Sequence, residues 1–225
     1  MEALSPSDPN SFSRPEECIV IGIHIDWEVN FENHILTGFV DLTVEKKDTS
    51  ASHLVLDTRD LTIKNVVDKS TDKPLNYKCG EPVLTFGSKL EIELPENMEN
   101  RISIKVTYQT SETASALQWL SKELTAGKQQ PYMFSQCQAI HARSMLPCQD
   151  SPGVKSPYTA VVRVPKDLVV LMSAVRDGEE DCENTNLKAF KFTQKVSSTS
   201  FQTDGAVFYC CSKYSVNDEL SNVGR

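Results

Sequence analysis

The sequence predicts an all-β domain built mainly of antiparallel strands. Three observations point there. Apolar residues recur at every second position in stretch after stretch, and turn residues interrupt them about every 8 to 12 residues. No segment carries the three-and-four spacing of an amphipathic helix.

Residues 1–17 hold three prolines and four serines without periodicity and read as a flexible lead. Alternation then begins. In IVIGIHIDWEVN the odd positions Ile19, Ile21, Ile23, Ile25, Trp27 and Val29 are apolar, which predicts one long half-buried strand. NFENH turns the chain, and ILTGFVDLTVEKK returns it with Leu36, Val40, Leu42 and Val44 on one face, completing a hairpin. HLVLDTRDLTIKNVV, KLEIELP and RISIKVTYQT repeat the pattern, as do YTAVVRVPKDLVVLMSAV and AFKFTQKV further on. From Ser197 the text is polar apart from one short apolar cluster and reads as a loosely packed tail. The expected organisation is a lead over 1–17, a β domain over 18–196 and a divergent tail over 197–225.

Composition narrows the function. With 225 residues the chain is long enough for a proper core. A net charge of −8 leaves no basic field for nucleic acid or an anionic membrane. No run of apolar residues is long enough to span a bilayer, and the polar, acidic first residues do not resemble a signal peptide. Seven scattered cysteines and no Asn-x-Ser/Thr site suggest reduced thiols in the cytoplasm.

Reactive side chains gather between Pro131 and Pro152, in PYMFSQCQAIHARSMLPCQDSP. Cys137, His141 and Cys148 are three soft donors, but a structural zinc wants four, and no His-Glu-x-x-His string exists. Cys137 with His141 as its base is a nucleophile candidate. Arg143 and Asp150 suit a mutual pair. Gln118, Gln136, Gln138 and Gln149 suit either backbone groups of an internal loop or the polar end of a substrate in a cleft. Met98-Glu99-Asn100 reads as a turn between strands, and Cys210-Cys211 as a vicinal thiol pair.

ALQWL at Ala116–Leu120, the block from QQPYMFSQCQAIHARSMLPCQDSP into VVRVPKDLVVLMSAVRDGE, and the upstream LTGFVDLTV and LVLDTRDLTI resemble the M1-type zinc aminopeptidases over about residues 18 to 196. QCQ and LPCQD are most similar to the leukotriene A4 hydrolase branch. That resemblance implies the family's saddle-like N-terminal β domain, beside a separate zinc-bearing domain. It also implies that Gln136 and Gln138, with the Cys137 backbone between them, contact substrate. Many relatives carry a glutamate where Gln138 stands. The family's zinc-binding helix, Gly-x-Met-Glu-Asn loop and catalytic tyrosine have no counterpart, and the text after Val196 departs from the pattern, as in a truncated or alternatively spliced product. No catalytic or metal residue and no cofactor is therefore expected in this chain, with zinc and a peptide or leukotriene substrate belonging to the full-length family. The alternative is a stand-alone binding module that docks a protein partner on an exposed interdomain face.

Overall fold

The computed structural model describes residues 4–96, 98–199 and 208–212. The strands, in chain order, are β1 (Cys18–Asn30), β2 (Ile35–Lys46), β3 (His53–Thr58), β4 (Thr62–Asp68), β5 (Lys73–Pro74), β6 (Tyr77–Cys79), β7 (Ser88–Glu93) and β8 (Arg101–Gln109). There follow β9 (Leu117–Leu120), β10 (Tyr132–Ser135), β11 (Lys155–Pro165), β12 (Leu168–Met172), β13 (Val175–Asp181), β14 (Leu187–Thr199) and β15 (Phe208–Ser212). They form three sheets: β13-β14-β11-β1-β2-β8-β4-β5, β12-β15-β10-β9 and β3-β7-β6. Single 3₁₀ turns are the only helical elements among the described residues. The all-β architecture matches the reading of the sequence.

One pairing departs from the antiparallel pattern. β1 runs parallel to β11, with Ile23 beside Tyr158 and Trp27 beside Val162. A hairpin forces its strands antiparallel, as in β1–β2. β11 reaches β1 only after the chain has run through β2 to β10, so no short turn dictates its direction.

The long alternation in β1 also breaks. Ile25, Trp27 and Val29 are buried as expected, but further up the strand it is Cys18 and Val20 that are buried, with Ile19 and Ile21 half-exposed. Val20 pairs with Val44 and Gly22 with Thr43, so Ile21 is an extra residue, a β-bulge. One inserted residue exchanges the two faces of everything before it.

The buried face of the large sheet supplies Leu36, Val40, Leu42, Ile104 and Val106, which join Leu54, Leu56, Leu90 and Ile92 of the three-stranded sheet in one core. Trp27 and Tyr108 lie inside it, the indole Nε1–H donating to the phenolic oxygen at 2.8 Å. That bond gives the indole N–H a partner in an apolar interior.

Two expectations about the ends change. The lead is pinned: Ser11, Phe12 and Ser13 are buried, and Ser5 N–H donates to Ser11 O at 2.7 Å. In the divergent tail, the apolar cluster forms β15, which pairs with β10 on one side and β12 on the other, burying Cys210. It fills the slot between β10, whose other edge is taken by β9, and β12. The rest of the tail lies outside the described residues.

Gly38 of β2 has φ +150, and a Cβ there would lie 1.9 Å from the carbonyl oxygen of Asp26 on β1. Gly38→Ala is expected to destabilise the domain by about 1–3 kcal/mol through backbone strain alone, and further by prising β1 from β2. A urea titration of the two proteins measures it.

Candidate substrate-contacting loop

β10 pairs with β9, placing Ser135 beside Leu117, and the ladder continues one bond further, from Gln136 N–H to Ala116 O at 2.8 Å. Strand-like alternation therefore persists past the end of β10. Ser135 and Cys137 face inward, while Gln136 and Gln138 face solvent. Gln138 N–H donates to Gln136 Oε1 at 2.9 Å, which orients the Gln136 amide. The peptide between Gln138 and Ala139 is cis. His141 N–H closes the turn on Cys137 O at 3.0 Å. Ser144 Oγ donates to His141 O at 2.8 Å and accepts from Ala116 N–H at 2.9 Å, tying the loop to the segment before β9.

Beneath the loop lies a fully buried ionic network. Arg143, Asp57 and Asp150 have no exposed surface. Arg143 Nε donates to Asp150 Oδ2 at 2.9 Å, and Nη1 is 3.6 Å from Asp57 Oδ1. Nη1 also donates to Phe86 O at 2.8 Å, and Nη2 donates to Asn10 O at 2.8 Å and to Asp150 O at 3.2 Å. Asp57 in turn accepts from Ser11 Oγ at 2.6 Å, Phe12 N–H at 2.7 Å and Asp150 N–H at 2.9 Å. A charge removed from water is tolerable only when paired and fully hydrogen-bonded, and this one is. Burial pushes the Asp57 carboxyl up from its ordinary range, against the guanidinium and the three donors. The pairing of Arg143 with Asp150 follows the sequence reading. Asp57 escaped it, although an aspartate directly after Leu54-Val55-Leu56 was the available signal.

Gln149 does what a backbone-satisfying amide should. Its Nε2 donates to Cys18 O at 2.7 Å and its Oε1 accepts from Val20 N–H at 2.9 Å. This is the stretch of β1 ahead of the bulge, where pairing with β11 has not yet begun. Gln118 is exposed on β9 opposite Phe134. Met98-Glu99-Asn100 lies between β7 and β8, with Met98 N–H on Pro95 O, as a turn.

The cysteine chemistry considered from sequence does not assemble. Cys137 is buried with its thiol 3.6 Å from the Met145 sulfur, and burial, with Asp150 nearby, pushes it up to about 12. Burial raises Cys148 as well. Neither thiol ionises readily, so neither is an activated nucleophile or a good metal ligand. His141 does not turn its ring to Cys137. Its Nδ1 lies 2.7 Å from Ser115 Oγ and 3.1 Å from Arg59 Nη1, a cation that would repel a bound metal. These donors do not fit zinc. Among the described residues no three His, Cys, Asp or Glu side chains are grouped to hold a metal, and Cys18, Cys79, Cys137, Cys148, Cys182 and Cys210 are free thiols.

The three-sheet β fold that carries this loop recurs in solved structures. Yeast LTA4 hydrolase in complex with bestatin superposes with TM-score 0.79 at 29% identity, covering 91% of this chain and 30% of the yeast chain. An M1 zinc metallopeptidase from Deinococcus radiodurans shares the fold at TM-score 0.68 and 20% identity, over 89% of this chain and 43% of its own. The chain belongs to the Peptidase M1 N-terminal domain family, whose model matches residues 14–201. It is 42% identical over 198 residues to leukotriene A-4 hydrolase of Xenopus laevis, covering 87% of this chain and 32% of the frog protein. Leucine aminopeptidase 2 of Phaeosphaeria nodorum is 36% identical over 211 residues, covering 89% and 33%. The chain thus spans about a third of the length of these relatives.

Asp57→Ala strips Arg143 of one of its two carboxylates and leaves the backbone N–H groups of Phe12 and Asp150 without that acceptor; the expected loss is about 3–5 kcal/mol, read from urea unfolding. A pH dependence follows from the histidines. Burial, then the charges of Arg59 and Arg143, hold His141 below 6.5, and burial lowers His24 as well. The unfolded chain therefore binds protons that the folded chain refuses, so stability present above pH 6.5 is lost as pH falls through the depressed values. His141→Asn should make that fall shallower, with His24 responsible for the remainder, in unfolding curves taken at a series of pH values.

Proposed function

We propose that this chain is the substrate-contacting β domain of a leukotriene A4 hydrolase-like M1 aminopeptidase, and that it does not itself cleave substrate. One observation carries the reading: Gln136 and Gln138 turn outward on either side of a buried Cys137, above an ionic network that fixes the loop. The Gln136 amino group and the whole Gln138 amide make no hydrogen bond within the described residues beyond the one that orients Gln136. They are free for a ligand.

In this reading zinc, where the family carries it, is held by residues beyond the part matched here and supplies the hydrolytic chemistry. The present residues bind and orient. Two neutral amides offer donors and acceptors together, so they can grip the free amino end of a peptide or the carboxylate of an epoxy fatty acid. A glutamate at position 138 would bind an ammonium more strongly and repel a carboxylate. The free thiols and acidic charge suit a cytoplasmic setting, and no described helix is long and apolar enough to cross a membrane.

A second reading, a non-catalytic protein-binding module, is favoured by one feature. Tyr132, Phe134 and Tyr209 form a part-exposed aromatic cluster on the four-stranded sheet, with ring centroids 5.8 to 6.5 Å apart, beside the exposed Leu171. Such surfaces mark interfaces.

In nuclear magnetic resonance titrations with an alanyl peptide, the side-chain amides of Gln136 and Gln138 are expected to shift, and Gln138→Ala to weaken binding by about tenfold, near 1.4 kcal/mol. Hydrolysis of an alanyl amide should stay at background with or without added zinc. Chelator-sensitive turnover by the purified chain would overturn the reading, and concentration-dependent self-association without peptide shifts would favour the second one.

A further inference from the structure

An open cleft of about 700 Å³ lies between the lead and the loop that carries Gln138. Asp8 and Pro15 line it from the lead, Gln138, Ala139 and Ile140 from the loop, and Pro152 from the turn before β11. Small-ligand sites typically have volumes of about 300–1,000 Å³ and a largely apolar lining with a few polar groups. This cleft has both. One network holds its two walls. Arg143 Nη2 donates to Asn10 O in the lead, while Asp57 accepts from Phe12 N–H in the lead and from Asp150 N–H beside the opposite wall. Walls that are already fixed lose little to ordering when a ligand enters.

Among the described residues that line the cleft, Asp8 carries the only charge. It is half-buried. Its Oδ1 accepts from Asn10 N–H at 2.9 Å, and its Oδ2 has no hydrogen-bond or ion-pair partner among the described residues. The network that holds the walls brings no surplus of positive charge, since one guanidinium, Arg143, faces two carboxyl groups, Asp57 and Asp150. Gln138 adds an amide oxygen that can accept a hydrogen bond without adding charge. A hard metal ion wants about six oxygen ligands, and one free carboxylate oxygen does not supply them. A singly charged organic cation with an apolar body answers the whole set.

We propose that this cleft binds a primary ammonium carried on an apolar body, such as the amino end of a peptide. Asp8 supplies the opposing charge, Gln138 Oε1 a neutral acceptor, and Ile140 with the two prolines the apolar wall. The proposal rests on the reading of Gln138 as a ligand contact and names the group that gives that contact its charge selectivity. Asp8 makes the charge-assisted bond that a neutral amide at position 138 cannot make. An anionic ligand end is repelled from the same place.

The test is a nuclear magnetic resonance titration of the isotope-labelled full chain with leucinamide at about pH 6, below the ordinary range of an α-amino group. It follows the backbone amides of Ile140 and Gly153 and the side-chain amides of Gln136 and Gln138. N-acetyl-leucinamide, similar in shape but uncharged, is the control. Leucinamide should bind saturably with a dissociation constant of about 1–10 mM, and the control at least about tenfold more weakly. Asp8→Asn keeps the Oδ1 acceptor for Asn10 N–H and removes only the charge. It should weaken leucinamide by about tenfold and leave the control unchanged. Added salt should weaken leucinamide alone. Should Asp8→Asn fail to fold, as judged by circular dichroism, the comparison of the two ligands carries the test. Equal affinity for the two, or leucinamide binding indifferent to Asp8→Asn, would overturn the site even if the glutamine amides shift. Asp8-dependent shifts at Ile140 and Gly153 with Gln136 and Gln138 silent would uphold the ammonium site and remove the glutamine amides from it.

Discussion

A guanidinium sealed from water has to be answered completely, and Arg143 draws its answers from four distant parts of the chain. Asp57 comes from β3, Asp150 from the far end of the cysteine-rich loop, and carbonyls come from the lead at Asn10 and from the turn at Phe86. Each partner fixes a segment that has little hydrophobic reason to stay in place. The lead is held because Ser11 and Phe12 complete the shell of Asp57. The loop is held because its two ends, Arg143 and Asp150, grip each other and both reach Asp57. Replacing such a network by well-packed apolar residues would not necessarily cost stability. What polar partners add here is direction, because each accepts only one arrangement of the loop above it.

That direction is what a contact surface needs. Two amides on a fluctuating loop would lose most of their gain to ordering, whereas amides whose backbone is already fixed lose little. Cys137 contributes from below by filling the space between the two glutamines against Met145. Its thiol acts as a small hydrophobic plug, and its reactivity is suppressed by the same burial.

Much of the fold was legible because period-two alternation is strong in β1, β2, β7, β8 and β11, where one face meets the core. Three features were not. The bulge at Ile21 leaves no mark in an apolar run where both faces could be buried. The lead looked free because serines and prolines without periodicity usually are, and its anchor, Asp57, sits 45 residues away from Phe12. β15 is short and set in polar text, so only its partners reveal it. Around the candidate loop, the Arg143–Asp150 pair was readable. That the two glutamines face outward depends on the ladder running on through Gln136, which no spacing rule states.

β15 has a bearing on how the domain is made. It occupies an inner position of its sheet, yet it is the last described strand in chain order. On a ribosome, β10 and β12 would emerge with bare edges facing each other and wait for residues 208–212 before the gap closes. Nascent chains with open β edges are natural clients for chaperones and natural seeds for aggregation. The window of vulnerability during synthesis is thus fixed by how far residues 208–212 follow β12 in the chain.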